Sequence, residues 1–575
     1  MLNIADPLYQ TKRQVMEILR AQLDTERSSF IPHYRDIADH VRPRRARFTL
    51  AEANRGERRS QKIINAAATL ASRTGRAGMM SGVTSPARPW FKLAAGDPKS
   101  ANIGRVKKYL YDVQQIMTTS FLKSNLYNTL PIVYGDLLDF GTAPMLVEED
   151  FTGEVFTTES FPVGSYMISK NEKGKVDTFV RDFKMTVRQL IAKFAKRDGS
   201  GNIIWDNFST TVKSRYDQKQ FETWIDVCHV IMPNSEYDNT KLDSKYKRYT
   251  SCYYERGSST QAYSGPQSEL MLRESGYDIF PVLCPRWETT AEDVYGTDCP
   301  GMTALGDIRQ LQLGEKRSWE AVDKMIRPPM VGPTSMRGHA ASILPGDVTY
   351  ADTREGMQGF RPAFQFDFRI DMLEGKIQQI ISRIQRAYFE DLFLMLSQSD
   401  RREITAREID ERHEEKLLAL GPVLEQLNQD LLDPLIDLTF DIHVRQGLLP
   451  EPPEELQGVN LKIEYVSIMA QAQKLLGISS VERFIGFVGQ VAAFDGSVLD
   501  KVVIDEAVNI YGDMTSVPPA LIRPDEEANA MRQARAQQQQ QAMQAEQMVN
   551  AAGAAKDLSQ ASLEGDNALN ALLGK

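Results

Sequence analysis

Two groupings of side chains in this 575-residue chain have the type and spacing that chemistry would need. Asp410, Glu411, Glu414 and Glu415 could hold a hard divalent cation such as Mg²⁺ for nuclease chemistry, since such ions take carboxylate oxygens. His413-Glu414 opens like a zinc-binding helix, but position 417, where the second histidine must stand, is Leu417. Arg407, Arg412 and Lys416 alternate with these acids, and a solvated helix face laced with opposite charges explains them better. The six histidines are scattered, so a catalytic triad is neither shown nor excluded. No Gly-x-x-x-x-Gly-Lys-Ser/Thr loop is present, which argues against an ATP-driven motor. Cys228, Cys252, Cys284 and Cys299 are widely spaced without a Cys-x-x-Cys pair, and free reduced thiols are expected. No catalytic residue, no metal and no cofactor are predicted.

Phosphate contact is the other available chemistry. The formal net charge of −9 argues against a tight DNA binder, because neutralising phosphates drives that affinity. It suits a protein past which DNA slides, or simply one kept soluble by its charge. Basic residues nevertheless cluster. Arg401 and Arg402 lie in the polar stretch Ser397 to Ile404, Lys316, Arg317 and Lys324 follow one another on a helical segment, and Lys376, Arg383 and Arg386 lie on the next. Arg42 to Arg59 holds seven arginines, read either as a nucleic-acid patch or, preferably, as a solvated or subunit-facing segment.

Long helices must position these residues. Ile409, Leu417, Leu420, Leu424, Leu427, Leu431, Leu435, Leu438 and Ile442 recur mostly in steps of three and four, one face of a helix. Thr405 and Glu408 form a capping box at its start. Carried to Arg445 it would run roughly 60 Å, bending at Pro422 and Pro434, which each lack a backbone donor. A second helix is predicted over about Phe368 to Leu396 and a third over Gly301 to Ile326, stopped by Arg327-Pro328-Pro329. Between those two, Pro328 to Asp367 is Gly/Pro-punctuated with short β-prone pieces. Periodicity alone fits an ordinary helical hairpin equally well.

Further back, two helices are expected over Leu8 to Val41, an Ala/Gly-faced helix over Gln61 to Met80, and a helix over Ala101 to Leu138. Alternating strands and short helices then make residues 100 to 290 an α+β body. Past the long helix come a proline-rich connector (Leu448 to Leu456), a strand (Leu461 to Val466), two amphipathic helices, and an Ala/Gln-rich helical stretch from Asp525 to Ala555. No apolar run approaches the ~20 residues that cross a bilayer, and the N-terminus has no apolar signal core.

Three segments carry a resemblance: INAAATLASRTGRAGMMSGVTSPARPWFKL (Ile64 to Leu93), VYGTDCPGMTALGDIRQLQ (Val294 to Gln312) and ITAREIDERHEEKLLALGPVLEQLNQDLLDPLI (Ile404 to Ile436). In order and spacing the chain resembles the portal, or head-to-tail connector, proteins of short-tailed bacteriophages. The resemblance implies an α+β, predominantly helical fold. N-terminal helices and a wing would fill 1–300, a first stem helix 301–327, a clip 328–367 and a second stem helix 368–396. A tunnel loop would take 397–404, a long kinked spine helix 405–447, the wing return and crown 448–516, and an Ala/Gln-rich tail or barrel 517–575. It implies a homododecameric ring at one capsid vertex, made in the host cytoplasm, through which double-stranded DNA is packaged and ejected. Its implied partners are DNA without sequence preference, the terminase large subunit, major capsid and scaffolding proteins, and tail adaptor and nozzle proteins, with no membrane. Arg401 and Arg402 would face the channel, and Lys316, Arg317, Lys324, Lys376, Arg383 and Arg386 are weaker channel candidates. A non-channel capsid adaptor is the main rival, and a metal-dependent nuclease a lesser one.

Overall fold

The structure, a computed structural model, describes residues 12–48, 59–96, 103–151, 153–257, 270–290, 292–331, 361–362, 370–398, 420–456, 461–465, 484–492, 502–503, 507–508 and 525–560. The chain divides into two compact units. One holds Met1–Trp90, Ile116–Leu449 and Ser467–Met469; the other holds Phe91–Gln115, Pro450–Val466 and Ala470–Lys575. Among the described residues no helix is long and apolar enough to cross a membrane.

In the larger unit an antiparallel five-stranded sheet forms where the sequence alternates. Its strands run in the order Arg273–Tyr277, Tyr249–Glu255, Trp224–Pro233, Val176–Thr186, Tyr166–Lys170. Successive side chains of a strand point to opposite faces. Ile168, Phe179 and Ile231 therefore pack on one side with Leu146, Val282 and Tyr295, while Met167, Val180 and Val230 pack on the other with Met16 and Leu23 of helix Lys12–Ser28. Leu146 and Val282 belong to a three-stranded sheet of Val282–Leu283, Met145–Glu149 and Phe156–Ser160. Helix, sheet and second sheet thus bury both faces of the central layer, the α+β body expected from the alternation.

Several predicted rods are interrupted. The helix expected over Ala101 to Leu138 is two, Gly104–Lys123 and Leu126–Phe140. Asn125 stands at the break, where its side chain pairs with the Thr158 main chain through two 2.8 Å bonds, much as a strand residue would. The rod read as Phe368 to Leu396 is also two helices, Ile370–Ala387 and Glu390–Gln398. They part at Phe389, whose φ of 55° is a strained value for an aromatic residue, costing on the order of 1–3 kcal/mol. Buried contacts of Tyr388 and Phe393, described below, hold it there.

The last long helix is described from residue 420. It is α-helical over 420–427, turns as a π-helix over Asn428–Leu432, and resumes as Asp433–Arg445. Pro434 explains the wide turn: it has no N–H for the Asp430 carbonyl and crowds that carbonyl, so the helix loosens just before it. The bend foreseen at Pro434 is thus taken up by one π turn. Thr405, Glu408 and the acidic run at 410–415 lie outside the described residues.

In the smaller unit, Phe91–Ala95 pairs antiparallel with Leu461–Tyr465, Phe91 opposite Tyr465 and Ala95 opposite Leu461. Helix Asp525–Gln560 has the thin apolar stripe its composition implied: every described side chain from Asn529 to Gly553 is exposed.

Candidate functional site: paired helices on a buried polar hub

Asp136 and Asp139 lie one turn apart on helix Leu126–Phe140 and are almost fully buried, at 1% and 0% exposure. Two buried carboxylates need cations and donors. Arg45 forks onto Asp136, with Nε 3.0 and 2.8 Å from its two oxygens, and also donates to Ser160. Arg42 Nη1 lies 3.2 Å from Asp136 and 3.1 Å from Asp139. Ser72 Oγ (3.0 Å) and Tyr388 OH (3.1 Å) donate to the two oxygens of Asp139. Burial pushes the Asp139 carboxyl upward although Arg42 and Ser72 pull it down, and burial beside Asp139 lifts the Tyr388 phenol well above its usual range.

Glycines let the backbones reach this hub. A Cβ on Gly78 of helix Ala67–Val83 would fall inside the Phe393 ring, and one on Gly75 would crowd Leu138 and the Tyr388 carbonyl. A Cβ on Gly301 would collide with the Asp139 carbonyl, which also accepts from Cys299 Sγ at 3.4 Å. Gly141, at φ 76°, ends the aspartate helix against Gly296. Segments far apart in the chain therefore meet at one point: 42–45, 72–78, 136–141, 296–301 and 388–393.

From this hub rise two helices, Leu305–Ile326 and Ile370–Ala387, which pack along part of their length. Leu305, Ile308 and Leu311 of the first are buried, as are Ile377, Ile380 and Ile384 of the second. The first is pinned at Gln312, whose Oε1 accepts from the Ile64 and Asn65 N–H groups at 2.6 and 2.8 Å, and at Arg309, which pairs with Asp36. Beyond Gln312 no residue of that helix is buried. Trp319 is 68% exposed, Ile326 72% and, on the partner helix, Met372 59%.

The sequence profile described as Bacteriophage head to tail connecting protein matches residues 13–522 of this chain. The chain belongs to that family. It is 45% identical over 552 residues to the portal protein of Salmonella phage epsilon15, covering 96% of each chain. It is 40% identical over 560 residues to the probable portal protein of Bordetella phage BPP-1, covering 97% of this chain and 98% of that one. Head-to-tail connecting proteins are structural virion components rather than enzymes.

In this member of the connecting family the weaker basic candidates divide in two. Lys316, Arg317, Lys324, Lys376 and Arg386 are exposed and make no ion pair among the described residues. Arg383 is taken: its Nη2 and Nε lie 2.7 and 3.1 Å from Asp307 Oδ1, and it reaches Gln310 as well. Arg401 and Arg402 lie outside the described residues, as do Asp410, Glu411, His413, Glu414 and Glu415. For two arginines of the Arg42 to Arg59 stretch the expectation is corrected, while Arg44 is exposed as expected. Arg42 and Arg45 are neither solvated nor turned outward but neutralise the hub aspartates, because those carboxylates are buried and must be met.

Sequence reasoning missed the hub, since Asp136 and Asp139 read as ordinary polar positions of a helix; two acids three apart between apolar neighbours were the available signal. It also missed Asp430 in the π turn, which Arg286 grips at 3.1 Å, and buried His443, which bridges the Thr439 carbonyl and Ser120 Oγ. All four cysteines are buried free thiols, pushed up by that burial, Cys252 to about 11 and Cys284 to about 12, so none is a thiolate nucleophile.

Proposed function

We propose that this chain is a portal: a homododecameric ring at one capsid vertex, through which double-stranded DNA enters during packaging and leaves at ejection. The observation supporting it most is the outer half of the helix pair. Trp319, Ile326 and Met372 are exposed there beside Lys316, Arg317, Lys324 and Lys376, a mixture that no other part of the same chain covers among the described residues. Exposed apolar area of this kind marks an association surface, and copies joined head to tail close into a ring if the rotation closes. On this reading the paired helices are the stem, 328–367 the clip, 397–404 the tunnel loop, 405–447 the spine and 448–516 the wing return and crown, with 517–575 as tail or barrel. Arg401 and Arg402 touch passing phosphates weakly and without base readout, since every genome sequence must slide past. The terminase large subunit docks during filling and tail adaptor and nozzle proteins afterwards, with capsid and scaffolding proteins around the ring. The relatives named as portal proteins, matched along nearly their whole length, support the same reading. Mass measurement and negative-stain imaging of purified protein at micromolar concentration test it: closed rings with a lumen are expected, and monomers and dimers alone, or particles without a lumen, would overturn it in favour of an adaptor.

A further inference from the structure

The central sheet carries a cleft of about 1140 Å³ beside its edge strand Arg273–Tyr277, walled by helix Val187–Phe194 and the start of helix Thr210–Asp217. Six of its lining side chains are cationic and two are carboxylates, in a chain whose formal net charge is −9. Two of those cations are already committed: Lys12 to Glu274, and Arg13 to the carbonyls of Glu255 and Leu270 at 2.8 Å each. The other four, Lys193, Lys196, Lys213 and Arg273, are exposed and have no carboxylate partner among the described residues. Half-buried Trp205 joins the lining, its ring backed by Phe208 at 5.7 Å and Tyr216 at 5.3 Å.

The unspent groups decide what could bind. Asn207 Nδ2 donates to the carbonyls of Phe194 (3.0 Å) and Leu272 (2.9 Å), and Arg13 occupies that of Leu270. Those three carbonyls are therefore unavailable to an extended peptide. Charge and one indole face remain. A phosphodiester chain is recognised by such a pair, cations following the backbone and an aromatic ring stacking a base. The volume exceeds what one phosphate fills and reaches the upper end of ligand sites, roughly 300–1,000 Å³.

We propose that this cleft binds single-stranded nucleic acid through its backbone, without sequence readout, as a site on the β-sheet body separate from the paired helices. The test uses the full-length protein and fluorescence anisotropy with a labelled oligothymidylate of about twelve nucleotides, within the usual span for such grooves. The charge reversal Lys196→Glu/Lys213→Glu/Arg273→Glu should weaken binding about tenfold or more and lower the log–log salt slope by about 2, at ~0.7 per lost phosphate contact. Reversal at exposed Lys173 and Lys219, outside the cleft, should leave affinity within about twofold. If the cleft reversal lowers the melting temperature, the neutral Lys196→Gln/Lys213→Gln replaces it, with a loss of about threefold expected. Unchanged binding in the cleft variant overturns the proposal. So does binding lost on Arg401→Ala/Arg402→Ala instead, or displacement by poly-glutamate at lower charge concentration than by unlabelled oligonucleotide.

Discussion

Asp139 receives Arg42, Ser72 and Tyr388 in a site without solvent exposure, and each is useful only while the others remain. Asp139→Ala would leave Arg42 half-neutralised inside the protein, and breaking a buried pair this way costs about 3–5 kcal/mol. Asp139→Asn should cost less, because the amide oxygen still accepts. Urea unfolding of both variants is the measurement, and a loss below about 1 kcal/mol for the alanine variant would mean the hub does not hold the fold. Gly78→Ala should destabilise by about 1–3 kcal/mol through overlap with the Phe393 ring. Phe393→Leu should recover part of that loss, so the two changes should be non-additive in a double-mutant cycle.

Buried histidines contribute to the loss of stability in acid. Burial lowers His229 well below its ordinary value and lowers His443, while His33 and His40 shift the same way. A histidine whose folded pKa lies below its unfolded value contributes full stability above the unfolded value near 6.5, and loses it as pH falls through the folded pKa. The melting temperature should therefore fall as pH drops below about 6.5, and His443→Gln should flatten part of that fall. Equal slopes in both proteins would remove His443 from the effect.

At the scale of elements, periodicity made the helices legible and their ends less so. Helix Leu305–Ile326 stops before Arg327-Pro328-Pro329, as proline chemistry requires. The break at Phe389 was not legible, because the residues that force it, Tyr388 on Asp139 and Phe393 on Gly78, act across more than 240 positions of sequence. The π turn was visible only as an unspecified bend at Pro434. Trp319 tests the outer helix pair: at 68% exposure, Trp319→Glu should leave the melting profile of the isolated subunit nearly unchanged. It should shift assemblies toward smaller species on a sizing column, and rings of unchanged size and stability would place the subunit contact elsewhere.

For the whole molecule, resemblance carried further than composition. The negative total charge conceals a basic cleft and a run of cations on the helix pair that make no ion pair among the described residues, because summed charge says nothing of placement. The hub was illegible for a related reason: Arg42 and Arg45 have the same side chains whether solvated or buried, and only the fold brings carboxylates to them. Under the proposed function, Arg401→Ala with Arg402→Ala should leave assembly intact and reduce packaged DNA per particle. Heads filled to the wild-type level would exclude that pair from the mechanism.

The hub also sets an order of events during synthesis. Arg42, Ser72 and Asp139 leave the ribosome early, whereas Tyr388 follows Asp139 by 249 residues. Until it arrives, one oxygen of a carboxylate destined for burial has no donor, and the glycine seam at Gly78 has no Phe393 to close it. A chain ending near residue 380 is thus expected to be cut by protease within 67–83 and 126–140, where the full chain resists. Equal resistance would show that the early segments close unaided. Completion of the hub thus waits on a segment made long after the aspartate it serves.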